Sequence, residues 1–142
     1  MSIGKICTRS VVMAAPEETV QEAAILMKKH NVGTIVIVDA AMRPAGILTD
    51  RDVAVRCVAP GTSPDAMRIR DAMSTPVRTV TETTPIEEGL ATMRGLGVRR
   101  LPVIDANGSL VGIVSMDDIV ELIAGEAMDV GALIRSVVPA LP

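Results

Sequence analysis

The chain contains two copies of one pattern, and the copies lie 66 positions apart. Residues 46–52, GILTDRD, recur as residues 112–118, GIVSMDD. Adding 66 to each residue number aligns the copies without a gap over roughly 45 positions, which is strong evidence for an internal repeat. Because there are only two copies, the pattern predicts a pseudo-two-fold pair whose sheets pack against each other, rather than a solenoid.

Each copy predicts the element order β-α-β-β-α, which is an α+β fold. In the first copy, apolar residues at helical spacing follow the acidic stretch 16–19 and indicate an amphipathic helix that stops at Gly33. The β-branched run 34–39 shows almost no alternation, so it predicts a strand buried on both faces. The other predicted elements are strands over 11–13 and 45–48 and a helix over 50–57.

The repeat divides the chain into three parts. Residues 1–62 are the first repeat with its Pro- and Gly-rich linker, residues 63–125 are the second repeat, and residues 126–142 are a tail. The second repeat is predicted to begin with a short helix over 68–73. The tail predicts a small apolar helix, ended by Pro139, that packs on the core or meets a second subunit. Its apolar residues are Met128, Leu133, Ile134, Val137 and Val138.

The composition argues against several classes of protein. The chain has no Phe, Tyr or Trp and a net charge of −3, whereas nucleic-acid-binding proteins use aromatic stacking or a basic excess. No apolar run reaches the ~18 residues that span a bilayer, and no signal-peptide segment is present, so we expect a cytoplasmic protein. Cys7 and Cys57 lie far apart and His30 is the only histidine, so neither a disulfide nor a metal site is expected.

The repeated stretch carries a hydroxyl residue followed three positions later by an Asp. The pairs are Thr49 with Asp52 and Ser115 with Asp118. Each pair resembles a capping box, in which two side chains bond to backbone N–H groups at the start of a helix. A helix start also suits an external anion, because it offers free N–H groups and a partial positive charge. Both interpretations stay open, although the recurrence of the pair in both copies adds weight to a ligand site.

The repeat resembles the CBS domain, named after cystathionine β-synthase, and the chain resembles a stand-alone tandem CBS pair, or Bateman module. The resemblance is carried by the β-α-β-β-α order, by residues 97–105, GVRRLPVID, and by the two Gly-apolar-x-Thr/Ser-x-x-Asp segments. It implies regulatory binding of an adenosine-containing ligand. In this family that ligand is AMP, ADP or ATP, or in some members S-adenosylmethionine, NAD(H) or a cyclic dinucleotide.

The resemblance also implies which residues hold the ligand. Asp52 and Asp118 would accept the ribose hydroxyls, and Thr49 and Ser115 would reach a phosphate. An ionised Asp can accept two hydrogen bonds from vicinal hydroxyls, which agrees with this role. The residues that flank the first strand of each copy would line the adenine slot, and these are Thr8, Ser10, Val11, Thr75, Pro76 and Val77.

Two arginines make the two predicted sites unequal. Arg99 would contact phosphate by the resemblance, and its counterpart in the first copy is Gly33. Arg51 lies inside the first motif, where the second copy has Asp117. We therefore expect the site of the first motif to favour phosphate at the motif itself, while Arg99 could serve both sites. The other arginines, Arg56 among them, are expected on the solvated surface.

These expectations converge on a regulatory module. The sequence shows no nucleophile–base pair, P-loop, G-x-G-x-x-G or metal cluster, so neither catalysis nor a required cofactor is expected. A stand-alone pair has no effector domain of its own. We therefore expect a homodimer that changes shape when it binds adenylate and acts on an unknown effector protein. The alternative is a scaffold that binds no nucleotide and uses the two motif Asp residues only as helix caps.

Overall fold

The computed structural model describes residues 1–137, which form two three-stranded sheets with helices around them. This is the predicted α+β pair of β-α-β-β-α units. The first unit contains β1 (Met13–Ala14), α1 (Val20–His30), β2 (Thr34–Val38), β3 (Pro44–Thr49) and α2 (Asp50–Asp52), which continues as the π-helical segment Val53–Val58. The second contains α3 (Ile69–Ala72), β4 (Val80–Thr81), α4 (Ile86–Leu96), β5 (Arg100–Ile104), β6 (Leu110–Ser115) and α5 (Met116–Val137).

The two sheets have the same topology and the same register. In the first sheet β1 runs parallel to β2, and β2 is antiparallel to β3 with Thr34 opposite Thr49. The second sheet repeats this order, with Arg100 opposite Ser115. These pairs are 66 positions apart along the chain, so the internal repeat is confirmed in three dimensions. The shared register places Thr49 and Ser115 at equivalent ends of equivalent strands.

Local signals explain the bounds of α1 and of β2. A capping box between Thr19 and Glu22 begins α1, and Asn31 ends it in the left-handed conformation with a φ of 51°. The helix therefore ends before Gly33, because an Asn tolerates this conformation almost as well as Gly does. The central residues of β2 are fully buried, as its lack of alternation predicts.

The stretch that precedes the first strand of each unit packs on the other unit. We call these stretches the first lead-in, residues 1–12, and the second lead-in, residues 66–78. Ile3, in a 3₁₀ helix, is fully buried in the core of the second unit, and Ile69 is fully buried in the core of the first. The backbone N–H of Ile3 donates to Thr84 at 2.9 Å, and that of Ile69 donates to Glu18 at 2.8 Å. The two repeats therefore interlock, and each completes the core of the other.

The tail is not a separate helix. α5 runs unbroken from Met116 to Val137, because good helix formers on both sides of Gly125 carry the helix through that glycine. Nor do the described tail residues cover the core. The exposed fractions of Met128, Leu133, Ile134 and Val137 are 74%, 61%, 55% and 67%. Val138 and Pro139, the rest of the predicted tail helix, lie outside the described residues.

Aliphatic side chains and sulfur fill both cores. Cys57 is fully buried in the first core, Cys7 packs half-buried against the second, and both are free thiols. Among the described helices, none combines the length and the apolar character needed to cross a bilayer.

Candidate functional site

The first motif forms the junction of β3 and α2. The hydroxyl of Thr49 accepts the N–H of Asp52 at 3.1 Å, and Oδ2 of Asp52 accepts the N–H of Thr49 at 2.9 Å. This is a complete capping box. Oδ1 of Asp52 takes no part in it and lies 3.8 Å from Nη2 of Arg56.

The second motif forms the junction of β6 and α5 with nearly the same geometry. The N–H and the hydroxyl of Ser115 donate to Oδ2 of Asp118 at 2.7 and 2.9 Å, and the N–H of Asp118 donates to the Ser115 hydroxyl oxygen at 3.2 Å. All three hydrogen bonds leave Oδ1 of Asp118 for another donor. The capping interpretation of both pairs is thus correct in geometry, and it uses only one carboxylate oxygen of each Asp.

Each lead-in runs along the motif strand of the other repeat. Thr8 exchanges two backbone hydrogen bonds with Ile113 of β6, both at 2.9 Å. Ser74 exchanges two with Ile47 of β3, at 2.8 and 3.1 Å. Thr8, which is predicted to line an adenine slot, therefore lies against the strand that leads into the motif of the other repeat, and Ser74, next to predicted Thr75, does the same.

The glycines that open the two motifs permit this close approach. A Cβ on Gly46 would lie 2.9 Å from the carbonyl oxygen of Ser74, and one on Gly112 would lie 3.0 Å from that of Thr8. Both contacts are with backbone atoms, which cannot move aside without breaking the pairing. The passage of the lead-ins therefore explains why Gly stands at these two positions.

A cavity of about 390 Å³ lies beside the first lead-in, within the usual size range of small-molecule sites. Ser10 and Val11, both predicted site residues, line this cavity. The other lining residues are Val12, Met13, Leu26, His30 and Val32. The sequence predicts only that His30 closes a helix, and no signal in it connects this residue to the cavity.

A second cavity, of about 330 Å³, lies along α5 and contains Asp118. Ile6 of the first lead-in forms one side of it. The remaining lining residues are Glu121, Leu122, Gly125, Glu126 and Asp129. This acidic lining favours a hydroxyl-bearing or cationic group over a phosphate. Among residues 1–137, no group of three or more His, Cys, Asp or Glu side chains is placed to hold a metal ion.

The predicted residues of the second lead-in lie away from the first motif. The hydroxyl of Thr75 donates to the carbonyl oxygen of Ala45 at 2.9 Å, near the start of β3, whereas Thr49 ends that strand. Four residues of strand separate these points by roughly 13 Å. Thr75 and Pro76 are exposed and Val77 is half-buried, and neither cavity includes any of the three. The structure therefore does not bring them next to Thr49 and Asp52.

The predicted basic residues lie beside the motifs and are exposed. The carbonyl oxygen of Arg99 accepts the N–H of Met116 at 2.8 Å, and Nη2 of Arg99 lies 3.8 Å from Oδ1 of Asp117. This weak pair partly offsets the positive charge of Arg99. Arg51 lies on the exposed side of the first motif.

Arg56 lies near the site, although the sequence predicts only a solvated surface position for it. Its Nη1 donates to the carbonyl oxygen of Ala72 at 2.9 Å, which holds Nη2 at 3.8 Å from Asp52. The i, i+4 spacing of Asp52 and Arg56 is the signal that would have indicated this pair. In the second repeat the corresponding residue is Leu122, so Asp118 has no such neighbour.

Cys7, which precedes Thr8, offers a test of the environment of the first lead-in. Burial raises the pKa of the Cys7 thiol, and the charges of Glu82 and Asp118 raise it further against the opposing effect of Arg9. Only the thiolate is nucleophilic. We expect iodoacetamide to modify Cys7 more slowly than free cysteine at pH 8, with a rate that climbs at higher pH, and fully buried Cys57 to react only on unfolding. Peptide mass mapping measures both rates, and a Cys7 that reacts as fast as free cysteine at pH 8 would contradict this environment.

Comparison with known proteins identifies the repeat. The family model of the CBS domain matches residues 3–58 and 69–125. The chain is 38% identical over 118 residues to the CBS domain-containing protein YhcV of Bacillus subtilis, and the match covers 83% of this chain and 82% of that protein. It is 42% identical over 122 residues to an uncharacterized protein of Methanopyrus kandleri, covering 86% of this chain but only 62% of that longer relative.

A solved structure shares the whole architecture. The CBS domain pair of protein MJ0100, in complex with 5′-methylthioadenosine and S-adenosyl-L-methionine, superposes with a TM-score of 0.79 at 28% identity and covers 89% of this chain and 98% of that chain. Each copy of the sequence repeat, and each of the two units of the fold, therefore corresponds to one CBS domain. The chain belongs to the CBS-domain family and is a tandem pair of CBS domains.

Proposed function

We propose that this CBS pair is a cytoplasmic regulatory module that binds an adenosine-containing ligand, such as AMP, ADP or ATP, and passes the binding event to an effector protein. The observation that carries the proposal is the crossing of the lead-ins. Because Thr8 of one repeat pairs with the strand that leads to Asp118 of the other, a ligand held at this place contacts both repeats. Such a ligand can shift their arrangement if it binds one arrangement more tightly than another.

Asp118 is the residue that we assign to the ribose of the ligand. Its Oδ2 is used by Ser115, while Oδ1 is left for a ligand hydroxyl, and the side chain lines a cavity next to the first lead-in. The similar CBS pair of MJ0100 is described with two adenosine derivatives, which supports the adenosine class. The phosphate role that the resemblance implies for Ser115 is not part of this proposal, because its hydroxyl donates to Asp118 and the cavity beside it is acidic.

The two motifs are proposed to favour different ligands. Arg51 and Arg56 flank Asp52, whereas Asp118 is surrounded by acidic residues of α5. The first motif should therefore prefer phosphorylated nucleotides, and the second an uncharged or cationic adenosine derivative, because like charges repel a phosphate.

Calorimetric titration measures this asymmetry. We expect AMP and 5′-methylthioadenosine to bind at different sites, so that saturation with one leaves the other free to bind. The phosphate preference should weaken with added salt, since both arginines are exposed and their charges are screened. Two identical and independent sites for either ligand would contradict the asymmetry.

A second candidate function rests on the capping boxes. Both motif Asp residues already stabilise a helix start, so each has a role without any ligand. A scaffold that binds no nucleotide and only presents surfaces to other proteins would need nothing more. In either case we propose that the chain acts on partners as a homodimer and carries out no catalysis.

The ultraviolet spectrum of the freshly purified protein separates these functions. Since the chain has no Trp or Tyr, it is almost transparent near 280 nm, and a band near 260 nm would reveal a co-purified purine that mass spectrometry can name. If the spectrum is flat, thermal melts with AMP, ATP, NADH and S-adenosylmethionine follow. A ligand at 100 times its Kd raises the free energy of unfolding by about 2.7 kcal/mol. No band and no shift with any ligand would establish the scaffold and reject the sensor.

A further inference from the structure

One side of α5 carries a regular apolar pattern that the fold does not use. The spacing alternates between three and four residues, which is the heptad pattern of a coiled coil. We call this set of side chains the seam, and it consists of Val120, Ile123, Ala127, Val130, Ile134 and Val137. At 100° per residue, the seam lies on the side of α5 that faces away from Asp118 and the acidic cavity.

The seam is exposed along its whole length. The exposed fractions of Val120, Ile123, Val130, Ile134 and Val137 are 55%, 60%, 55%, 55% and 67%. From Ile123 to Val137 every residue except Gly131 is exposed, so the rest of the described chain leaves the seam uncovered over about four turns of helix. Helices of this length are marginal in water without tertiary contacts. A helix that projects in this way needs a partner along its apolar side.

We propose that the partner is a second copy of this chain, and that two α5 helices pair antiparallel along the seam. Strict heptad spacing is self-complementary, since the knobs of one seam fit the holes of an identical one. The inference rests on the self-association included in the proposed function. Ligand binding by the motifs is measured separately and can fail without affecting it.

Packing and charge favour the antiparallel orientation. If the two-fold axis of the antiparallel pair passes midway between Ala127 and Val130, each small Ala127 lies opposite a Val130 of the second copy. In a parallel pair, the two Ala127 side chains would face each other across a gap. Residues 116–126 contain four acidic residues and no basic one, while residues 127–137 contain Asp129 and Arg135. An antiparallel pair separates the two acidic halves and aligns the helix dipoles favourably.

Two matched substitutions test the seam. Ile134→Asp places a charge on the seam, and Met128→Asp places one on another exposed apolar residue of the same helix away from the seam. By light scattering we expect the wild-type chain and Met128→Asp to have about twice the mass of 14.9 kDa and Ile134→Asp to be a monomer. Circular dichroism should show reduced helix content in Ile134→Asp with an unchanged cooperative melt of the CBS pair. A monomeric wild-type chain, or a dimeric Ile134→Asp, would overturn the proposal.

Oxidative cross-linking tests the orientation independently of the charge variants. In the antiparallel pair Val120 of one copy lies opposite Val137 of the other, and two Val120 side chains are roughly 25 Å apart along the axis. A mixture of Val120→Cys and Val137→Cys chains should therefore form a mixed disulfide dimer, and Val120→Cys alone should not. The wild-type chain with Cys7 and Cys57 is the control. A disulfide dimer of Val120→Cys alone would mean parallel helices and would overturn the antiparallel proposal.

Discussion

Substitution of Gly46 by Ala is expected to destabilise the protein by about 1–3 kcal/mol, the usual result of forcing a methyl group into a packed site. The new Cβ would lie 2.6 Å from Sδ of Met73 and 2.9 Å from the carbonyl oxygen of Ser74. Met73 can move, but the Ser74 backbone is held by its two hydrogen bonds to Ile47. The methyl group therefore pushes the second lead-in away from β3.

A thermal melt followed by circular dichroism measures the effect, at roughly 4 °C per kcal/mol for a chain of this size. Gly95→Ala is the matched control, since Gly95 lies in α4 and a methyl group added there would meet no atom within 4 Å. That change should be neutral or stabilise by up to about 1 kcal/mol, because Ala favours helix over Gly. If Gly46→Ala melts like the wild-type chain, the close passage of the lead-in is not what requires glycine here.

The sequence predicts the repeated part of the fold well because both copies indicate each element. The spacing of 66 residues holds for the strands, for their register and for the hydroxyl–Asp pairs, so Thr34 opposite Thr49 and Arg100 opposite Ser115 follow from one pattern. Burial of β2 also follows from its unbroken β-branched run. Neither signal depends on how the two units pack against each other.

The crossing of the lead-ins could not be predicted in this way. The apolar side chains of Ile3 and Ile69 predict burial, but they do not predict which of the two similar cores buries each of them. The choice depends on chain geometry between the units, which leaves no local signal. The same reason applies to the predicted site, where the resemblance points to residues 8–11 and 75–77. Only the structure shows that Thr8 and Thr75 lie along strands of the opposite repeat.

The length of α5 could not be predicted from the sequence either, for a different reason. The repeat predicts its first turns, and the apolar residues after Leu122 predict another helix, yet neither signal says that the two join. The join depends on the weak penalty of Gly125 inside a helix, about 1 kcal/mol relative to Ala, which neighbouring helix formers can offset.

Substitution of Asp118 by Asn is expected to weaken binding of an adenosine ligand at the second motif by about 10- to 150-fold. A hydrogen bond to a charged group contributes roughly 1.5–3 kcal/mol, which is this factor in Kd. Asn keeps one oxygen to accept the N–H of Ser115, so the helix cap survives while the charge and the second acceptor are lost. Asp52→Asn should have the same effect on ligands of the first motif. Calorimetric titration of both variants with AMP and 5′-methylthioadenosine measures these losses.

Glu22→Gln is the matched control for this pair of variants. Glu22 closes the capping box of α1, where Thr19 donates its N–H to Oε2 at 2.8 Å and accepts the N–H of Glu22 at 3.1 Å. The three boxes share the same two cap hydrogen bonds, so each variant should lose about 0.3–1 kcal/mol of stability from the helix dipole. Only the motif variants should lose ligand affinity. If all three behave alike in both measurements, the motif Asp residues act as caps alone, and the chain is a scaffold rather than a sensor.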